Sequence, residues 1–81
     1  MNSTPNEQLD LRGTPCPLNF VRTKLYLEKM PPNQILEVWL DKGEPIEQVP
    51  SSLQMSGYQI LQTVEHPDFC ALQVSSVQLL E

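Results

Sequence analysis

Leu9-Asp10-Leu11-Arg12-Gly13-Thr14-Pro15-Cys16-Pro17 reads as a short strand, a tight glycine turn and a cysteine where a helix begins. Leu9 and Leu11 alternate with Asp10 and Arg12, the period-2 pattern of a half-buried strand. Pro17 suits the first helical position, where a missing N–H costs nothing. Cys16 is then expected at the N-cap, its sulfur among unpaired backbone N–H groups at the positive end of the helix dipole. A thiol held there ionises more readily, and the thiolate is the reactive form.

Working outward, the chain alternates strand and helix. Residues 1–7 read as a disordered lead. Strand one covers about 8–12 and helix one about 17–30, stopping before Pro31-Pro32-Asn33. Strand two, about 34–41, sets Leu36, Val38 and Leu40 on one face and Glu37, Trp39 and Asp41 on the other. A second helix over about 44–56 carries Ile46, Val49 and Leu53 at helical spacing, with Gly57 as its C′ residue. Pro50 inside it predicts a kink, or a short first turn followed by a new start. Strands three and four, about 58–65 and 69–76, flank a turn at Glu65-His66-Pro67-Asp68.

The order β-α-β-α-β-β predicts an α+β fold: a two-layer α/β sandwich with a four-stranded mixed sheet and both helices on one face. The first β-α-β unit should form a parallel pair through a right-handed crossover, and the last two strands an antiparallel hairpin. Residues 8–81 form a single domain. The uncovered sheet face would carry Trp39 and Ile35, either shielded by neighbouring side chains or meeting a partner.

Eighty-one residues allow one small core, near the lower limit for folding without staples or metal. A net charge of −5 argues against a broad basic surface for nucleic acid. Two cysteines make neither a disulfide framework nor a C-x-x-C motif, and with the lone His66 they do not furnish a zinc site. The polar N-terminus lacks a signal sequence and no apolar run spans a membrane, so the expected setting is the cytoplasm with reduced thiols. Cys70 shares a face with Leu72 and Val74 and reads as a small buried hydrophobe, with a resolving partner for Cys16 as the alternative. No His or carboxylate stands beside Cys16 in sequence to make a catalytic pair, which fits a carrier better than a self-sufficient hydrolase. Asp10 reads as an organiser of the turn through local hydrogen bonds, and Gly13 as a backbone conformation or close approach that other residues resist.

Leu9-Asp10-x-x-Gly13-x-x-Cys16-Pro17 resembles the L-D-x-x-G-x-x-C-P-x-P signature of the TusA-like sulfur carriers, which include the SirA and YedF branches. Ile35-Leu36-Glu37-Val38 and Gly57-Tyr58-Gln59-Ile60-Leu61 resemble the corresponding segments, those of the YedF branch above all. The resemblance implies the two-layer sandwich and a persulfide on Cys16. The sulfur would come from a cysteine desulfurase or similar donor and pass to an acceptor protein, as in tRNA thiolation or another sulfur pathway. It implies a sulfurtransferase-type carrier rather than a stand-alone enzyme, with no cofactor beyond the covalent sulfur; the ligand count, charge and hydropathy above add the expectation of no metal and no direct contact with nucleic acid or membrane.

Asn19 stands where the signature has its second proline. With Cys16 as N-cap, Asn19 would be N3, and its N–H would support the thiolate; the opposing reading is a loop that drifted as sulfur transfer was lost or redirected. Arg12 and Arg22 are candidate cations for the sulfur anion, with ordinary solvated surface as the alternative. The resemblance assigns Phe20, Thr23, Leu27 and Met30 to the core. Leu18, Val21 and Leu25 are left to dock a partner beside the thiol, or to pack on helix two or the lead segment. Two functions from other classes stay open: a non-catalytic interaction or regulatory module using the open sheet, and a thiol-redox protein using Cys16.

Overall fold

The computed structural model describes residues 5–78. Its elements run β1 (Glu7–Asp10), α1 (Leu18–Lys29), β2 (Ile35–Leu40), α2 (Glu44–Met55), β3 (Tyr58–Glu65) and β4 (Cys70–Gln78). The sheet order is β1-β2-β4-β3, with β1 parallel to β2 and the other two neighbouring pairs antiparallel. This is the expected mixed sheet with two helices.

Alternation along β2 decides the layering. Leu36, Val38 and Leu40 are fully buried, while Ile35, Glu37 and Trp39 are half-buried. In register with the buried set stand Val74, Leu72 and Cys70 of β4. Against them pack Leu27 of α1 and Val49 and Leu53 of α2. Each such aliphatic side chain removed from water contributes about 1.5–3 kcal/mol, so this layer holds the fold.

Three local expectations change. The lead is shorter than 1–7, because Glu7 pairs with Leu36 and Asn6 exchanges hydrogen bonds with Ile35 through both its N–H and its Oδ1 (2.8 Å each); residues 1–4 lie outside the described residues. The second helix runs through Pro50 without a break. Anchoring by Val49 and Leu53 outweighs the hydrogen bond that proline forfeits. Phe69 belongs to the turn rather than to β4, with the His66 N–H donating to the Phe69 carbonyl at 2.9 Å. Gly57 follows α2 at φ +96°, the left-handed geometry of a helix C′ residue. Register shifts on either side of Ile60 bend β3, an edge strand, where regular pairing to another chain is a hazard.

Candidate functional site

The loop from β1 to α1 carries the cysteine, and its shape follows from a few bonds. The Leu11 N–H donates to the Trp39 carbonyl (3.0 Å), extending the β1–β2 pairing, and the Leu11 side chain is buried. Asp10 then caps the turn, its Oδ1 accepting the Arg12 backbone N–H at 3.1 Å. Gly13 turns the chain at φ +78°, and its N–H donates to the Asp41 carboxylate at 2.7 Å, tying this loop to the one before α2. A Cβ on Gly13 would meet nothing within 4 Å, so the requirement is the backbone conformation and not space.

Cys16 is exposed, but it does not cap the helix. Pro17 occupies the N-cap position with φ −94° and ψ 9°, Leu18 is the first helical residue, and no side chain caps α1. The hydrogen-bond ladder already begins at Pro15, whose carbonyl accepts the Asn19 N–H at 3.1 Å. The Phe20 N–H goes to Asn19 Oδ1 (2.7 Å) and the Val21 N–H to the Pro17 carbonyl (3.0 Å). The Asn19 and Phe20 amides expected to meet the sulfur are therefore spent on oxygens, and Asn19 is the second helical residue rather than the third. Its side chain is fully buried, in line with Thr23 and Leu27 at i, i+4, i+8. Among the described residues its Nδ2 has no hydrogen-bond partner. That spacing was legible in the sequence, but an asparagine on a core stripe reads as polar surface.

The thiol instead donates across to α2: Cys16 Sγ lies 3.2 Å from Gln48 Oε1. Thirty-two residues separate the pair, and nothing in the sequence announces it. Leu18, Val21 and Leu25 are 51%, 41% and 52% exposed, a strip of apolar surface on the helix that begins two residues after the cysteine. Arg22 is exposed on the same helix.

Arg12 serves the opposite side of the molecule. Its Nε and Nη2 form a two-pronged bond to Asp10 (2.9 and 2.8 Å), and its guanidinium lies 4.8 Å from the Trp39 ring centre and 5.0 Å from that of Phe69. The Arg12 hydrogen bonds hold the Asp10 carboxyl below its ordinary value, and Asp10 in turn holds Arg12 charged. Phe69 also packs against Trp39 and stacks on His66, with ring centres 4.7 and 4.5 Å apart. The Trp39 indole N–H donates to Glu37 at 2.7 Å, and the Gln8 amide adds a second bond at 3.0 Å. These bonds, the indole's first, lower the Glu37 pKa against the opposing pull of partial burial. Trp39 is thus shielded by neighbours from its own chain. Cys70 is buried on β4 opposite Leu40. Among the described residues no group of His, Cys, Asp and Glu is placed to hold a metal ion, and no helix is long and apolar enough to cross a membrane.

Comparison with known proteins matches residues 7–75 to the family described as Sulfurtransferase TusA. A protein of Archaeoglobus fulgidus is 43% identical over 56 residues, spanning 69% of this chain and 64% of its own length. One of Thermotoga maritima is 40% identical over 57 residues, 70% of this chain and 72% of its own. Both bear the provisional name of sulfur carrier protein. This chain covers just under two thirds of the first of them. YedF of Escherichia coli K12, named in the same provisional way, is 33% identical over 60 residues, covering 74% of this chain and 78% of its own. The crystal structure of a SirA-like protein from Desulfitobacterium hafniense shares the fold at a TM-score of 0.72 and 18% identity, covering 85% of this chain and 95% of that one.

Proposed function

This chain belongs to the TusA family of sulfurtransferases, and we propose that it is a sulfur carrier whose cargo rides as a persulfide on Cys16. The observation that carries this reading is the exposed Cys16 thiol on a loop tied to Asp41 before α2 and to Gln48 on α2, next to the exposed strip Leu18, Val21 and Leu25. The Cys16 thiolate attacks the outer sulfur of a persulfide on a cysteine desulfurase or similar donor. The donor's S–S bond breaks, its inner sulfur leaves as a thiolate that takes up a proton, and one sulfur atom is now bonded to Cys16. No electrons are gained or lost overall. The same exchange with an acceptor protein delivers the sulfur onward, to tRNA thiolation or another pathway.

Such a reaction asks for access more than for machinery. Two large proteins must bring sulfurs into contact, so a carrier does best with its thiol in the open and apolar surface beside it. The Leu18, Val21 and Leu25 strip supplies that docking surface in this reading, and Arg22 adds a cation on the same helix. The covalent sulfur is the only cofactor the reading requires. We assign the protein to the cytoplasm, where both thiols stay reduced, and to protein partners rather than nucleic acid, in keeping with its net charge of −5.

Intact-mass measurement after incubation with a desulfurase and cysteine tests this directly. The expected result is a gain of one sulfur atom at Cys16 that vanishes in Cys16→Ser. Absence of the adduct with every desulfurase offered would overturn it. A Cys16–Cys70 disulfide formed in its place under mild oxidation would favour thiol-redox cycling.

A further inference from the structure

We propose that Gln48 is the positioning residue of the Cys16 sulfur, turning one face of its amide to the thiol and the other to the sulfur anion. In the thiol state Oε1 accepts the S–H bond, at 3.2 Å. When Cys16 ionises, its proton passes to solvent and the sulfur has nothing left to donate. A half-turn of the Gln48 amide then brings an Nε2–H to nearly the same place, and the bond reverses direction. The inference rests on reading Cys16 as the sulfur-carrying residue, and the terminal sulfur of its persulfide, once ionised, would call on the same donor.

Three observations carry it. First, no amide of the helix that follows Cys16 is bonded to the sulfur: the Asn19, Phe20 and Val21 N–H groups go to Pro15, Asn19 and Pro17 oxygens, and the Leu18 N–H makes no bond to Sγ. Second, α2 holds Gln48 at a fixed root while leaving its head free. The adjacent Val49 and, one turn on, Leu53 are fully buried, whereas Gln48 is exposed. Third, no charged group of the surrounding elements is bonded to the sulfur in place of Gln48. They carry Glu44 and Glu47 on α2, Asp41 and Lys42 in the loop before it, and Arg22 and Lys24 on α1. Asp41 is engaged by Gly13 and Lys42 by Glu65, and Arg12 is held by Asp10 on the far face. Among the described residues none of these groups bonds the sulfur. A carboxylate in place of Gln48 would accept from the thiol but repel the anion, whereas the amide serves both states.

The test follows the thiolate ultraviolet absorbance and the rate of iodoacetamide alkylation of Cys16 across pH, in wild type, Gln48→Met and Gln48→Glu. Gln48→Met keeps length and neutrality and removes the amide alone. Its alkylation at neutral pH should fall about threefold, because the bond to the anion is charge-assisted and outweighs the bond from the thiol, with the whole profile displaced to higher pH. Gln48→Glu should fall further, by about tenfold, since it adds a like charge and has no donor. Because Gln48 is exposed, both variants should keep the wild-type unfolding midpoint. A Gln48→Met profile that coincides with wild type would overturn the inference, even if Gln48→Glu moves, because charge alone would then explain the effect. Sulfur loading from a desulfurase is read separately: loading with an unmoved profile defeats the role of Gln48 and leaves the carrier, whereas a moved profile without loading does the reverse.

Discussion

The two faces of this domain are built on opposite terms. On the uncovered face of the sheet, Asp10, Arg12, Trp39, Phe69, Glu37 and Gln8 bond and stack mainly with one another, every charge among them answered. At the other end of the same β1–α1 loop, Cys16 has a single, neutral partner among the described residues, and the apolar side chains that follow it on α1 face water. One loop feeds both: Arg12 turns to the sheet face, and four residues later Cys16 turns to the helices. The contrast teaches that this protein uses its aromatic and ionic side chains to close a surface and leaves its reactive group lightly held. A thiol that must pass between large partners gains nothing from being enclosed.

Changes on the two faces should therefore read out differently. The largest effect is expected from Cys16→Ser, which should abolish sulfur loading and leave the unfolding free energy within about 0.5 kcal/mol of wild type, as for other exposed substitutions. Next, converting Leu18, Val21 and Leu25 together to Ser should weaken desulfurase binding by more than about tenfold, measured by calorimetry, with the unfolding midpoint retained. Loss of folding in that variant would instead make the strip part of the core. Trp39→Ala should do the opposite, costing about 2 kcal/mol in denaturant unfolding while Cys16 still loads, because it removes the ring on which Arg12 and Phe69 rest. A loading defect in folded Trp39→Ala would tie the two faces together and end the contrast.

The smallest effect concerns acid. Glu37 has a depressed pKa in the folded state, so its contribution is complete above the unfolded value of about 4.3. It is lost as pH falls from there through the lower folded value. Glu37→Gln should flatten that part of the stability profile, followed by Trp39 fluorescence, with a small deficit at neutral pH that closes as pH falls through the folded value. An unchanged acid limb would show that the Glu37–Trp39 bond does not contribute to it.

How far the sequence reached depended on whether the interaction was local. The alternation of Leu36, Val38 and Leu40 was enough to orient the sheet, and the spacing of Val49 and Leu53 to find the buried face of α2. The Asp10–Arg12 turn and the positive φ of Gly13 were also legible, since each concerns neighbours in the chain. The helix starts one residue later than the sequence predicts. Cys16 resembles an N-cap in a linear reading, but the Pro15 carbonyl had already taken the amide that such a cap would use. Pro50 departs in the other direction: taken alone it predicts a kink, but the core contacts of Val49 and Leu53 hold the helix through it.

What the sequence supplied on its own was the pattern of burial, the order of elements and the L-D-x-x-G-x-x-C-P signature, all written in periods of two to four residues or in fixed short spacings. Its limit was the partner of each functional group. That Cys16 meets Gln48, that Gly13 meets Asp41 and that Arg12 lies over Trp39 and Phe69 depends on where separate elements come to rest. Side chains about thirty to sixty positions apart meet only after the sheet has formed and the helices have packed on it. The environment of the thiol is therefore a property of the assembled layers, while the thiol itself was visible from the start.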